Sequence, residues 1–169
     1  LLLYIALGFV CKWVKPGEVQ RSLELNLAFI AALSLAIGLA MEKSGSALLI
    51  ANAITSVLGE IGPIGILIGI YLLTNLLTEF VTNVAAATLS LPIAITLAKS
   101  MGVDAEPFIL CVAYAASFSF LSPIGYQTNL MVYGPGGYKF SDFFKFGLPL
   151  SIICFLITIG VLVMKYNII

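Results

Sequence analysis

The sequence predicts an all-α integral membrane protein, on three observations. Hydrophobic residues make up 61% of the 169 residues and charged residues only 9%, whereas soluble domains contain roughly half apolar and about a quarter charged residues. Most apolar residues lie in runs that approach the ~20 residues needed by a membrane-crossing helix. Two runs are interrupted by polar segments that both end in Thr-Asn, at 78–83 and 122–129. Because lipid offers the backbone no hydrogen-bond partners, such breaks survive only inside protein or beside a polar cavity.

The first third of the chain predicts two spans and a shorter helix. The chain begins inside an apolar run, so we interpret 1–14 as the tail of a span and the chain as a piece of a longer protein. Residues 25–41 are long and apolar enough for a complete span. Residues 46–58 are short for a span and carry polar side chains, which favours a helix lying at the membrane interface. A crossing helix is the alternative there.

Residues 62–101 predict a re-entrant helical hairpin with its tip near 82–84. Pro63 suits the first turn of a helix, where its missing N–H costs nothing. The G-x-x-x-G at 65–69 predicts close packing against a neighbouring helix. Pro92 is expected to kink the second arm.

Residues 107–133 predict a discontinuous helix, unwound at 122–129, because Pro123 removes a backbone donor and Gly125 permits unusual backbone conformations. Residues 146–165 form the last predicted span. If the interfacial helix does not cross, the excess of Lys and Arg in the loops predicts a multi-pass protein of the plasma or inner membrane with its C-terminus outside.

The composition excludes several classes of function. Acidic and basic residues balance to zero net charge, so nucleic acid is not an indicated partner. No histidine is present, which removes histidine metal sites, catalytic triads and proton relays. Asp104 and Asp142 fall in predicted loops, and no serine has a base beside it. We therefore expect no enzyme activity, no catalytic residue and no cofactor.

A stripe of polar residues follows one face of the first hairpin arm: Thr74, Asn75, Thr78, Glu79, Thr82 and Asn83. At membrane depth such a stripe predicts contact with a cavity or with another helix. For Thr74 and Asn75 we favour bonds between helices or to their own backbone. For Thr82 and Asn83, at the hairpin tip, we favour contact with a substrate.

Glu79 is the one acidic residue placed within a predicted membrane segment. An ionisable group there is a candidate proton carrier or cation ligand, and so a candidate coupling residue. The alternative is a carboxylate that caps the hairpin tip or bonds to the second break. Both interpretations are open at this point.

Paired breaks of this kind are typical of the binding site of a secondary transporter. Unwound carbonyls near Gly125 suit a hard cation such as Na⁺, and the N–H groups that open the next helix at 128–130 suit an anion. Asn83 and Asn129 carry both acceptors and donors, so either could bridge ion and substrate. No Lys or Arg lies near either break, which makes coupling to a cation the simplest way to hold an anion.

Both breaks carry motifs that resemble the divalent anion:sodium symporter family. Residues 77–85, Leu-Thr-Glu-Phe-Val-Thr-Asn-Val-Ala, and 91–93, Leu-Pro-Ile, resemble its second hairpin. Residues 122–138 begin Ser-Pro-Ile-Gly-Tyr-Gln-Thr-Asn-Leu-Met-Val-Tyr-Gly and are similar to its second unwound helix. The Gly-Tyr-Gln-Thr-Asn sequence is similar to the branch of sulfate permeases with added cytosolic domains.

The resemblance, which covers nearly the whole chain, implies the C-terminal half of a transporter, one of two inverted repeats in an ion-transporter fold. It implies sodium-coupled symport of a small inorganic or dicarboxylate anion by an elevator-type movement. A homodimer in the lipid bilayer and a missing N-terminal half are further implications. Alternatives are a proton-coupled or efflux permease for another oxyanion, and a channel-like pore.

The resemblance also assigns residues by position. The sodium ligands would be the Thr78 and Asn83 side chains and the Val81 and Gly125 carbonyls, with no other metal. Val84 replaces a hydroxyl residue of the family's hairpin tip, and two residues before Asn129 replace its usual prolines. These departures favour sulfate over a dicarboxylate. The predicted substrate-binding residues are Thr82, Asn83, Gln127, Thr128 and Asn129.

Overall fold

The computed structural model describes residues 25–168, which form α-helices and one short 3-10 helix with no strand among them. The chain divides into two units between Leu33 and Ser34, and the packing below belongs to the second unit. The predicted partial span at 1–14 lies outside the described residues. The helices are α1 (Leu25–Ser44), α2 (Ser46–Leu58), the 3-10 helix (Gly59–Ile61), α3 (Pro63–Thr78), α4 (Asn83–Met101), α5 (Glu106–Ser117), α6 (Gln127–Tyr133) and α7 (Phe140–Tyr166).

Local sequence signals explain several helix ends. Pro63 occupies the first turn of α3, as its missing donor favours. Thr82 caps α4 by accepting a hydrogen bond from the Ala85 N–H at 3.3 Å, which satisfies one otherwise unpaired donor. Gly102, with φ of 67°, ends α4 in the left-handed conformation that glycine adopts at low cost.

Helix α3 lies at the centre of the packing and contacts α2, α4, α5 and α7. A Cβ at Gly65 would lie 2.2 Å from the Leu58 carbonyl oxygen, and one at Gly69 would lie 2.6 Å from the Ile54 side chain. The close packing predicted from this G-x-x-x-G is therefore confirmed, with α2 as the neighbour. The largest fully buried apolar side chains are Tyr71, Phe108, Ile66, Leu67, Ile70, Ile93 and Leu97.

The all-helical prediction is confirmed for the described residues. Among them, α4 and α7, with 19 and 27 residues, are long and apolar enough to cross a membrane. The 16 residues of α3 and the 12 of α5 are fewer than the ~20 that a full crossing needs. Helices α3 and α4 pack together across a four-residue turn at 79–82. Their re-entrant placement, the inverted repeat and the interfacial position of α2 stay predictions.

The second break lies earlier in the chain than the sequence indicated. The chain leaves the helical conformation after Ser117 and re-enters it at Gln127. The prediction that the unwound stretch covers 122–129 is therefore wrong at both ends. Residues 127–129, expected to be unwound, form the first turn of α6.

Candidate functional site

The carbonyl groups at the end of α5 receive hydrogen bonds from α3. The last carbonyls of any helix lack partners within that helix. Here the Asn75 amide donates to the carbonyls of Ala115 at 3.3 Å and Phe118 at 2.6 Å. The Thr78 hydroxyl lies 2.7 Å from the Ala116 carbonyl. The polar stripe of α3 thus serves the end of a neighbouring helix, as favoured for Asn75 from sequence.

The N–H groups that follow α5 donate to Glu79. Its carboxylate accepts hydrogen bonds from the backbone of Phe120 at 2.9 Å, Leu121 at 3.0 Å and Ser122 at 2.8 Å. The Ser119 hydroxyl lies 3.4 Å from the same group. Glu79 is 4% exposed, and these partners are all donors. Of the two interpretations left open by the sequence, the geometry favours a carboxylate that bonds to the second break.

These two sets of bonds explain where α5 ends. In a continuous helix each N–H at 119–122 would bond to the carbonyl four residues earlier. Helix α3 and the residue that follows it supply partners to both sets. The amide of Asn75 and the hydroxyl of Thr78 contact the carbonyls, and the carboxylate of Glu79 accepts from the N–H groups. The break therefore begins before Pro123, the residue on which its predicted position was based.

Gly125 brings the unwound segment against the end of α3. A Cβ at this position would lie 2.1 Å from the Ser119 hydroxyl oxygen and 2.4 Å from the Thr78 carbonyl oxygen. Glycine is required here by the close approach of two segments. The Ser122 hydroxyl adds a bridge, since it donates to the Glu79 carbonyl at 2.7 Å and accepts from the Gly125 N–H at 3.1 Å.

Of the four residues predicted to bind sodium, Thr78 and Asn83 are in side-chain contact, and Gly125 lies close to the main chain of Thr78. The Thr78 hydroxyl oxygen lies 2.8 Å from the Asn83 side-chain oxygen, and Gly125 lies against the Thr78 carbonyl. Val81 lies in the turn, where its N–H donates to the Leu77 carbonyl at 3.0 Å. Among the described residues, no contact places the Val81 or the Gly125 carbonyl against the side-chain oxygens of Thr78 and Asn83.

Of the five predicted substrate-binding residues, Asn83 bonds to Thr78 as described above, and the other four fall into two groups. Thr82, Gln127 and Thr128 are exposed, the first as the cap of α4 and the others in the first turn of α6. Asn129 is different, because its amide donates to the carbonyls of the unwound segment. The distances are 3.0 Å to residue 119 and 3.2 Å to residue 122.

Two serines belong to this site although the sequence analysis gave them no role. Ser119 and Ser122 connect the unwound segment to Thr78 and Glu79 through their hydroxyl groups. Their partners lie 40 to 43 residues earlier in the chain. No local spacing rule could have indicated them.

Known proteins match almost all of the chain. A family model described as a citrate transporter matches residues 1–168. An uncharacterized transporter of Synechocystis is 42% identical over 155 residues, which are 92% of this chain and 25% of that protein. Sodium/sulfate cotransporter 1 of Chlamydomonas reinhardtii is 31% identical over 152 residues, 89% of this chain and 17% of that protein. The chain thus spans a quarter or less of the length of these relatives.

Proposed function

The chain belongs to the citrate transporter family, and we propose that it forms part of a sodium-coupled symporter for a divalent anion. The resemblance stated from the two breaks is confirmed at the level of the family. Sulfate is the proposed substrate, because relatives are named sodium/sulfate cotransporters and because Val84, Gln127 and Thr128 depart from the dicarboxylate pattern. A dicarboxylate is the next candidate. Citrate is included as a competitor in the experiment below because the matching family model is described as a citrate transporter.

The observation that carries the sodium assignment is the environment of the Thr78 hydroxyl. A hydroxyl has one hydrogen to donate, yet two oxygens lie within bonding distance, the Ala116 carbonyl at 2.7 Å and the Asn83 side chain at 2.8 Å. When the carbonyl takes the hydrogen, the Thr78 and Asn83 oxygens face each other as lone-pair donors. A hard cation, which prefers oxygen ligands, would stabilise that pair. Without the cation, a turned Asn83 amide would donate to Thr78.

The anion assignment is supported by the lack of positive side chains in this part of the sequence. No Lys or Arg occurs at 44–98 or at 100–138. An anion beside Thr82 and the first turn of α6 would be held by hydroxyls, amides and helix N-termini, which favour negative charge. A sodium ion bound at Thr78 and Asn83 would supply the missing positive charge.

The remaining parts of the proposal follow the family resemblance. They are one of two inverted repeats, an elevator-type movement, a homodimer in the bilayer, an N-terminal half outside this chain, and a C-terminus outside the cell. The binding site would then be completed by the other repeat.

Uptake by the full-length protein that carries this chain, reconstituted in liposomes, tests the proposal. We expect saturable uptake of radiolabelled sulfate that requires Na⁺ and is lost when choline replaces it. Thr78→Val should reduce uptake, whereas Thr74→Val, one turn earlier, should not, because Thr74 is equally buried and bonds to its own Ile70 carbonyl at 2.7 Å.

Other outcomes would reject specific parts of the proposal. Uptake that persists in choline and follows a proton gradient would replace sodium by protons. Flux without sodium-dependent counterflow would indicate a pore. If citrate or succinate inhibited the uptake of labelled sulfate more strongly than unlabelled sulfate does, the preferred substrate would be a carboxylate.

A further inference from the structure

Glu79 links the hairpin tip to the unwound segment more extensively than its neighbours do. Its carboxylate accepts three backbone N–H groups of the segment. Its own carbonyl accepts from the Ser122 hydroxyl at 2.7 Å, and that hydroxyl accepts from the Gly125 N–H at 3.1 Å. A continuous series of hydrogen bonds thus runs from the end of α3 to Gly125.

The sodium site proposed above needs both of these segments. Thr78 and Asn83 belong to the hairpin, and the Gly125 carbonyl belongs to the unwound segment. Residues 118–126 lack a helical bond pattern of their own, and their local bonds are few, among them those from the Gly125 N–H to the Ser122 hydroxyl and from the Asn129 amide to the carbonyls of residues 119 and 122. The three backbone bonds to Glu79 are the largest group of hydrogen bonds that fix the segment relative to the hairpin, beside the bonds from Asn75 to the Phe118 carbonyl and from the Ser119 hydroxyl to the Thr78 carbonyl.

The buried position of Glu79 also strengthens the electrostatic effect of its charge on a nearby cation. The group is nearly fully buried, and its partners among the described residues are N–H and hydroxyl groups with no formal charge. A carboxylate whose charge is balanced only by dipoles attracts a nearby cation, and burial lessens the screening of that attraction.

We propose that Glu79 is a positioning residue that holds the unwound segment in the conformation that completes the cation site. This inference rests on the proposed function for the identity of the cation. It goes beyond that function by assigning Glu79 to the assembly of the site, with neither ligation nor proton transfer as its role.

Glu79→Gln is the matched change, because glutamine has the same size. Its single oxygen can accept from two of the three N–H groups, while its NH₂ would face the third, donor against donor, at a position where the present bond is 2.8 Å. Glu79→Asp keeps the charge but is one methylene shorter. Glu60→Gln, at an exposed position in the 3-10 helix, is the control.

The experiment measures backbone amide exchange in the full-length protein that carries this chain, together with its sodium dependence. In Glu79→Gln we expect exchange at 118–126 to accelerate roughly tenfold or more, because hydrogen bonds to charged groups are the stronger ones. The core of α3 and α5 should stay protected. In Glu79→Gln, the sodium concentration for half-maximal uptake should rise by a larger factor than that by which the maximal uptake rate falls. Both values for Glu79→Asp should lie between those of the wild type and Glu79→Gln.

The outcomes separate this inference from the proposed function. Unchanged exchange at 118–126 in Glu79→Gln overturns the inference, even if the wild type transports with sodium. Lost transport with unchanged exchange would also overturn it and would assign Glu79 to proton transfer. If exchange accelerates in Glu79→Gln but uptake by the wild type does not depend on sodium, the sodium assignment is rejected and the positioning role is supported.

A second variant covers the case in which Glu79→Gln does not fold. Ser122→Ala removes the hydroxyl between the Glu79 carbonyl and the Gly125 N–H and leaves the buried charge in place. The inference predicts weaker apparent sodium affinity in this variant as well. An unchanged sodium affinity there would contradict it.

Discussion

The two breaks in this protein satisfy their backbone groups in opposite ways. The turn at 79–82 is closed locally, by the Val81 N–H bonded to the Leu77 carbonyl and by Thr82 as the cap of α4. The backbone of the unwound segment at 118–126 bonds to distant side chains, those of Asn75 in α3 and Glu79 in the turn, which lie 41 to 43 residues earlier in the chain. The first break thus has mostly local partners, with one distant bond from the Ser122 hydroxyl to the Glu79 carbonyl, whereas the second depends on partners from Asn75 and Glu79.

This difference explains the polar stripe of α3. Buried backbone groups without partners are costly, and in a membrane no water is at hand to replace them. Asn75, Thr78 and Glu79 supply partners for carbonyls and N–H groups alike. The stripe therefore supports an irregular segment of backbone at the same place where the proposed ion site forms.

The largest expected effect comes from adding a side chain at Gly125, where two segments of backbone approach closely. In Gly125→Ala the added methyl group would overlap the Thr78 carbonyl and the Ser119 hydroxyl, so we expect a loss of about 3 kcal/mol of stability, at the upper end for overpacking. Thermal unfolding in detergent measures this. Gly134→Ala is the control, because nothing lies within 4 Å of its added Cβ. Equal losses in both variants would mean that the two segments do not approach as described.

The existence of the breaks could be predicted from sequence, and the limits of the second could not. Pro123 and Gly125 mark it in any local reading of the chain. Its start after Ser117 depends on hydrogen bonds from Asn75, which no local pattern reveals. The bonds from the Asn129 amide to two carbonyls of the unwound segment are equally invisible to a local pattern, and the role of Asn129 as a substrate ligand stays a prediction.

A smaller effect is expected from removing one distant partner. Asn75→Ala leaves the Phe118 carbonyl without its donor and the Ala115 carbonyl with only the 3.4 Å bond from the Phe118 N–H, which should cost about 2 kcal/mol, within the range for unsatisfied buried groups. The same unfolding measurement applies, with Asn52→Ala, at an exposed position of α2, as the control. If Asn75→Ala matched its control, the second break would not depend on α3 as the comparison requires.

The central claim, that a cation binds at Thr78 and Asn83 beside the first break, is tested most directly by sodium-dependent stability without any anion. Sodium at ten times its dissociation constant should stabilise the wild type by about 1.4 kcal/mol. Asn83→Ala should abolish this gain, and Thr82→Ala, its neighbour in the turn, should retain it. A gain in Asn83→Ala equal to that of the wild type would contradict the account.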